Sequence, residues 1–165
     1  MQYKNATDFS YVSAATPLPV VLYGVTTNSN AAAGQVGELI SSSLAQASAL
    51  SLTDNTPVDV TSISLTAGDW DVTGTLFWIP VATTEVTAMS GGVSTTSATI
   101  PSSDNIGGKA LWQVPWTSNG GPSGLAVPPI RLSLASTTTV YLVIQANFSV
   151  STCKGFGNIR ARRVR

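Results

Sequence analysis

The side chains that most often carry out catalysis are scarce in this chain. Its 165 residues include no histidine and a single cysteine, Cys153. Without histidine there is no usual neutral-pH general base, no Ser-His or Cys-His pair and no imidazole metal ligand. One cysteine cannot form an intrachain disulfide, although its neighbour Lys154 could lower the pKa of the thiol. We therefore expect a non-enzymatic protein that needs no cofactor.

Four carboxylates could act together if the fold brings them close. They are Asp54, Asp59, Asp69 and Asp71. On a strand, Asp69 and Asp71 project from the same face, so they could share a Ca²⁺ ion or act as the acid and base of glycoside cleavage. Their spacing matches no calcium-loop motif, and no residue pattern identifies a sugar cleft. We expect a solvated acidic face, with no metal site and no catalytic pair.

Two tryptophans lie beside a glycine-rich stretch, in the sequence LWQVPW of residues 111–116. Trp112 and Trp116 could form a stacking platform for a sugar ring, or an aromatic anchor at a protein interface. Packing within the domain is the favoured interpretation of both rings. The glycan platform remains the alternative.

Basic residues are concentrated at the C-terminal end, which holds five of the eight: Lys154, Arg160, Arg162, Arg163 and Arg165. The preceding residues carry three basic and eight acidic side chains, so a basic end follows an acidic body. On a strand, Arg160 and Arg162 share one face, while Arg163 and Arg165 share the other. No aromatic residues alternate with these arginines, as they often do in nucleic-acid sites. We expect the four arginines to lie at a subunit interface and not to bind nucleic acid.

Turn-forming residues recur about every ten positions and separate short segments in which apolar residues alternate. This spacing is typical of an antiparallel sandwich or barrel. The clearest strands cover 138–150 and 69–80. In the second, Phe77 and Ile79 make both faces apolar, so this part of the strand is expected to enter the core or an interface. We assign these two residues to a subunit interface.

Three segments are harder to interpret. Residues 38–52 combine a helix-like apolar stripe with three consecutive serines, and we favour strand. The alternation of apolar residues shifts by one position within 58–65, which predicts a β-bulge near Thr61 and Ser62. Residues 83–100 are rich in Thr, Ser and Val and are expected to form one or two edge strands, exposed to solvent or to a trimer contact.

The N-terminal residues differ from the rest of the chain. Four of the twelve aromatic residues fall within the first 23 positions. Pro17 and Pro19 lie among these aromatic residues and favour an extended chain there. We expect residues 1–35 to form an extended arm that docks on a neighbouring subunit or a partner, and residues 36–165 to form the domain. The alternative is a first strand of the same core. The residues expected to dock are Tyr3, Phe9 and Tyr11.

Two strand-like blocks and the basic end resemble virion structural proteins of tailed bacteriophages. The blocks are VTSISLTAGDWDVTG at 60–74 and TTVYLVIQANF at 138–148, followed by the end 159–165. They resemble head decoration and tail-fibre-associated modules with a jelly-roll of the tumour-necrosis-factor or complement type. The matching positions are Gly68, Trp70, Val72 and Gly74, then Val140, Tyr141, Leu142 and Gln145. The resemblance covers about 36–165 and implies an all-β, antiparallel jelly-roll sandwich that forms a homotrimer.

The resemblance also implies a structural role in the virion. A homotrimeric decoration, or cement, protein would bind the major capsid protein or another virion protein and stabilise the capsid. The alternative is a tail-fibre or receptor-binding tip that recognises a cell-surface glycan. A charged fraction of only 10% agrees with a surface that assembly covers. The first eight residues lack a signal-peptide pattern and no apolar run reaches about 20 residues, so we expect no membrane contact and a virion location after synthesis in the bacterial cytoplasm.

Overall fold

A computed structural model describes residues 27, 29–81, 83–102, 108–113, 116–117 and 121–165. Most of the predicted arm, including Tyr3, Phe9 and Tyr11, lies outside the described residues. Within those ranges the chain forms ten strands and one 3₁₀ turn at Gln46–Ser48. The strands are Leu39–Leu44 (β1), Leu50–Ser51 (β2), Val58–Leu65 (β3), Gly68–Pro80 (β4), Glu85–Ser94 (β5), Lys109–Trp112 (β6), Trp116–Thr117 (β7), Ser123–Leu134 (β8), Thr138–Ser149 (β9) and Cys153–Arg163 (β10).

The strands form two antiparallel sheets that pack face to face. The first sheet has the order β1-β10-β4-β8, and β2 pairs with β10 beyond the end of β1. The second has the order β3-β9-β5-β6, and β7 pairs with β5 beyond the end of β6. Early strands thus pair with late ones: β1 with β10, β3 with β9, β4 with β8 and β5 with β6. One long antiparallel ribbon wound into two sheets has this pairing, which is the jelly-roll. The predicted all-β jelly-roll sandwich is confirmed.

The core lies between the two sheets and includes two fully buried tryptophans. Trp70 Nε1 donates a hydrogen bond to the Thr66 carbonyl (3.0 Å), and Trp78 Nε1 donates one to the Gln145 carbonyl (3.1 Å). These bonds satisfy the polar atoms that burial would otherwise leave without a partner. The strands predicted over 69–80 and 138–150 are confirmed as β4 and β9. The inward face of β9 contributes Val140, Leu142, Ile144 and Ala146.

The segment 38–52, which has a helix-like apolar stripe, contains the strands β1 and β2, and both pair with β10. The favoured prediction of strand for this segment is therefore confirmed. The β-bulge is confirmed in β3, where the register shifts between Asp59 and Thr61. The extra residue explains the phase slip. It lets Val60 and Ile63, three positions apart, both be buried.

The prediction of edge strands over 83–100 is wrong for β5. This strand lies inside the second sheet, with β9 on one side and β6 and β7 on the other. Gly91 and Gly92 make the position possible, because a side chain on Gly91 would clash with Leu76 and one on Gly92 with the Gly108 carbonyl. The two glycines thus allow the close backbone packing that β5 has inside the sheet.

Candidate functional site

The outer face of the first sheet carries four of the six residues predicted at a subunit interface, namely Phe77, Ile79, Arg160 and Arg162. β4 and β10 lie side by side, with Phe77 opposite Phe156 and Thr73 opposite Arg160. The alternate residues on the same strands, such as Ile159, are buried in the core. Because side chains alternate along a strand, those of Phe77, Phe156, Thr73 and Arg160 point away from the core. We call this surface the outer face.

An aromatic pair lies on the outer face. The rings of Phe77 and Phe156 stack with centroids 4.7 Å apart and planes inclined by 10°. A Cβ on Gly124 of β8 would lie 2.6 Å from Phe77 Cε1, so this glycine leaves room for the ring to lie across the neighbouring strand. Both rings are half-buried, as is Ile79 two residues further along β4. The sequence signal for Phe156 is weak, since a glycine stands on either side of it and hides the alternation.

A polar and basic area follows the aromatic pair along the same strands. Arg160 and Arg162 are exposed, and they lie opposite Thr73 and Asp71 of β4. On the other side, Arg162 pairs across the sheet with the exposed Leu39 of β1. This part of the outer face has donors for carbonyl or carboxylate oxygens beside an exposed apolar side chain.

Residues 29–37 form one wall of a groove that has this polar and basic area as its floor. The groove has a volume of about 840 Å³. Val36 and Leu39 contribute apolar surface, being 66% and 42% exposed. Asp71, Thr73, Pro129, Arg160 and Arg162 are among the other lining residues.

The wall of the groove is fixed to the last strand by hydrogen bonds. The Gln35 amide donates to the Ala32 carbonyl (3.0 Å), and the Gly37 amide donates to the Arg163 carbonyl (2.9 Å). Gly34 and Gly37 have φ values of +83° and +92°, which favour glycine. The described residues that precede β1 are therefore held against the end of β10.

A buried ion pair secures the same junction. Glu38 Oε2 accepts hydrogen bonds from the Gly34 amide (2.8 Å) and from Arg163 Nε (2.9 Å). These two bonds, the first of them most strongly, lower the pKa of Glu38. The Arg163 guanidinium also donates to Thr66 Oγ1 and lies 4.2 Å from the centre of the Trp70 ring. Arg163 thus joins the start of β1, the turn before β4 and the end of β10.

A second buried carboxylate holds the end of the chain. Asp69 Oδ2 accepts hydrogen bonds from Arg131 Nη2 (2.7 Å) and from Arg165 Nε. The Arg131 bond is the largest cause that lowers the pKa of Asp69 to about 2, against the opposing effect of burial. The four arginines predicted at an interface therefore divide into two pairs. Arg160 and Arg162 lie on the outer face, whereas Arg163 and Arg165 bind carboxylates of their own chain.

The expectation of a solvated acidic face is wrong for Asp69, which is only 3% exposed. Two other candidate carboxylates also bind their own chain: Asp54 accepts from the Phe148 amide (2.7 Å) and Asp59 from the Ala98 amide (2.7 Å). Across the described residues, no three His, Cys, Asp or Glu side chains form a group that could hold a metal ion.

Cys153 lies at the start of β10 and is buried. Lys154 does not lower the pKa of the Cys153 thiol, because burial raises it to about 11. A thiol with so high a pKa is mostly protonated at neutral pH and is a weak nucleophile.

Trp112 and Trp116 belong to β6 and β7, the two short strands at one edge of the second sheet. Both strands pair with β5, Trp112 opposite Met89 and Trp116 opposite Val86. Trp112 is 37% exposed. The backbone therefore brings the two positions to the same sheet edge, away from the outer face of the first sheet.

Comparison with known proteins assigns the chain to no described family. No family model matches it, and no curated protein matches it. Among solved structures, a chain of infectious bursal disease virus, Gt strain, is similar over 97% of this chain and 41% of its own length, with 12% sequence identity and a TM-score of 0.41. This chain thus spans less than half the length of that viral chain. In the described part of the protein, no helix is long and apolar enough to cross a membrane.

Proposed function

We propose that this chain is a structural subunit of a bacteriophage virion, a homotrimeric decoration protein that stabilises the capsid without catalysis. The observation that carries the proposal is the outer face of the first sheet. It presents the stacked Phe77 and Phe156 rings next to the exposed Arg160 and Arg162. Aromatic residues and arginine are the residue types most enriched at protein interfaces. The face is suited to contacts with other protein subunits.

A trimer would cover this apolar surface by symmetry. Closed rings of identical subunits bury the same patches on every copy, and assembly also protects the edges of open sheets. Phe77, Ile79 and Phe156 supply the apolar part of such a contact, and Arg160 and Arg162 its polar rim. Arg163 and Arg165 contribute indirectly, since their intrachain bonds keep the end of β10 in place.

Capsid stabilisation would follow from linkage. A subunit that binds the assembled shell, and binds free coat protein poorly, shifts the assembly equilibrium towards the shell by mass action. Several contacts from one trimer strengthen this effect because each later contact forms within the same complex. The major capsid protein is the partner that this mechanism requires.

The number of copies per particle tests the proposal. Quantitative mass spectrometry of purified particles would compare this chain with the major capsid protein. We expect hundreds of copies for a decoration protein, and about three to eighteen for a tail component built as one or a few closed rings of subunits. Absence from particles, or a count in the lower range, would overturn the capsid assignment.

A tail-fibre or receptor-binding tip is the second candidate, and the exposure of Trp112 on an edge strand favours it. An indole ring at a sheet edge could stack on a sugar of a cell-surface glycan. Binding to a glycan array that is lost in Trp112→Ala, together with a low copy number, would support this function over capsid decoration.

A further inference from the structure

We propose that one end of the sandwich is a head-to-tail contact between copies of this chain, in which Val81 and Val150 are covered and Lys154 of each subunit faces Glu85 of the next. We call Val81 and Val150 the corner patch. The inference rests on the proposed function, in which the subunit is a homotrimer. It adds which end of the domain the copies share and which charges set their order around the ring.

Two corners carry the chain from one sheet to the other at this end. One joins β4 to β5 and the other joins β9 to β10. The Thr152 carbonyl of the second corner accepts hydrogen bonds from the Val81 amide (3.1 Å) and from the hydroxyl of the buried Thr84 (2.7 Å), both in the first corner. These bonds hold the corners together, so their exposed side chains belong to one surface.

The corner patch extends the apolar part of the outer face. Val81 is 41% exposed and stands at the next alternate position after Phe77 and Ile79 of β4. Val150, in the adjoining corner, is 65% exposed. A contact that covers the aromatic pair therefore reaches the corner patch without a polar break along β4.

Val150 is held in an unfavourable backbone conformation. Its φ is +53°, and that of Ser151 is +80°. In this left-handed region the Cβ atom crowds the backbone, so a β-branched residue is rare there, whereas glycine and asparagine are common. Strained positions of this kind cluster at sites of contact and function. Since Val150 adds little to the core, we assign its role to contact with another subunit.

Opposite charges flank the corner patch on the two sides of the sandwich. Lys154 is exposed on the outer face of the first sheet, opposite Ile79. Glu85 is exposed at the start of β5, and the next residue, Val86, is buried, so Glu85 points outward from the second sheet. Within the described part of the chain, the ion pairs include neither Lys154 nor Glu85. A second copy can supply an opposite charge to each of them.

This placement of the charges favours a ring over a two-fold pair. In a ring, one side of each subunit meets the other side of the next, so every contact joins one Lys154 to one Glu85. A two-fold contact would instead bring each surface against itself and place like charges together. Arg160 and Arg162 lie beyond the aromatic pair along β10 and keep their place at the rim of the contact.

An exchange of the two charges tests the pairing. Sedimentation velocity of the full-length protein over a concentration series measures association. Lys154→Glu or Glu85→Lys alone places like charges in every contact and should weaken association by about tenfold or more, an effect that shrinks at high salt. The double variant restores an opposite pair in every contact and should associate within about threefold of the wild type. Because the two residues point to opposite sides of one subunit, a pair within the chain does not explain such a recovery.

Val150→Asn separates contact from strain. Asparagine adopts the left-handed conformation more readily than valine, so the unfolding temperature of the dissociated subunit should rise by about 2 °C or more. Association should weaken by about tenfold, because the apolar side chain is lost. Val164→Asn makes the same change at another exposed valine and should leave association unchanged. A residue that serves only the fold would not move stability and association in opposite directions.

Several results would overturn the inference. They are unchanged association in the single charge variants, a double variant that associates no better than they do, and a Val150→Asn protein that associates like the wild type. A wild-type chain that stays monomeric at every concentration overturns it together with the trimer. If the trimer persists in all of these variants, the proposed oligomer stands and its contact lies elsewhere. These measurements use no particles, so a trimer that responds as expected but is absent from purified particles would sustain this contact while refuting the virion role.

Discussion

The buried pair Glu38 and Arg163, at the junction of β1 and β10, contributes differently to stability from Arg160 and Arg162 on the outer face. Arg163 is buried, paired with Glu38 and stacked on Trp70, whereas Arg162 one position earlier is exposed. Removing one partner of a buried pair leaves the other charge without compensation, while an exposed charge contributes little. Two adjacent arginines therefore make very different contributions to stability.

Arg163→Ala should lower the free energy of unfolding by about 3 kcal/mol or more, since it removes a buried ion pair and the packing on Trp70. Arg162→Ala is the matched control and should change it by about 1 kcal/mol at most. Urea unfolding followed by tryptophan fluorescence measures both. Similar values for the two variants would show that the junction does not depend on the buried pair.

Asp69 should make stability depend on pH in the acid range. Its pKa of about 2 lies below the ordinary value of 3.8, chiefly because Arg131 donates a hydrogen bond to it. A carboxyl group with a lowered folded-state pKa contributes stability that is complete above its unfolded pKa and is lost as pH falls through the folded one. We expect the free energy of unfolding to decrease as pH falls from 3.8 to about 2, and to decrease less steeply in Asp69→Asn. Parallel pH dependence in the two proteins would contradict this assignment.

At the scale of strands, local alternation predicts which segments are extended but not where each strand lies in its sheet. β4 and β9 follow directly from alternation, and the phase slip in β3 gives its bulge. The interior position of β5 depends on long-range pairing with β9 and on the close approach of Leu76 and Gly108 to its glycines. No local sequence pattern predicts those contacts.

The same distinction applies to the candidate site. Strand alternation separates Arg160 and Arg162 from Arg163, so the sequence predicts two faces for the basic end. It does not predict the partner of Arg163, because Glu38 lies 125 residues earlier in the chain. Phe156 could have been found from its apolar type at an outward position of β10, but only once the strand phase was known.

The aromatic pair gives the outer face a testable role in assembly. Phe156→Ser removes one half-buried ring from that face and should leave the sandwich folded, while weakening self-association by about 2 kcal/mol, or roughly thirtyfold, as for an interface hot spot. Asn158→Ser, the next outward residue of β10, is the control and should have little effect. Sedimentation velocity over a concentration series measures both variants. A wild-type protein that stays monomeric throughout, or equal association of the two variants, would remove the outer face from the proposed trimer contact.

At the scale of the whole molecule, the basic C-terminal end could bind either a protein or a nucleic acid, and the two partners can be distinguished. A double variant, Arg160→Ala with Arg162→Ala, leaves the buried Arg163 and Arg165 pairs intact and so should keep the fold. We expect weaker trimer or particle association and no change in DNA retention across a salt series. A salt-dependent loss of DNA binding with an unchanged trimer would instead show a nucleic-acid partner, because phosphate contacts release counterions and depend steeply on salt.

The arm and the sandwich should be separable functions of one subunit. The described core lies between the two sheets and is formed by residues from Ile40 to Ala161, so deletion of residues 1–16 should leave the thermal unfolding transition unchanged. The same deletion removes Tyr3, Phe9 and Tyr11 and should abolish binding to particles stripped of this protein, because aromatic anchors carry much of the affinity of an interface. A variant with those three residues changed to serine has the full length and distinguishes loss of anchors from loss of reach. If the deletion unfolds the protein, residues 1–16 belong to the core; if both variants bind particles with wild-type affinity, attachment occurs through the outer face alone.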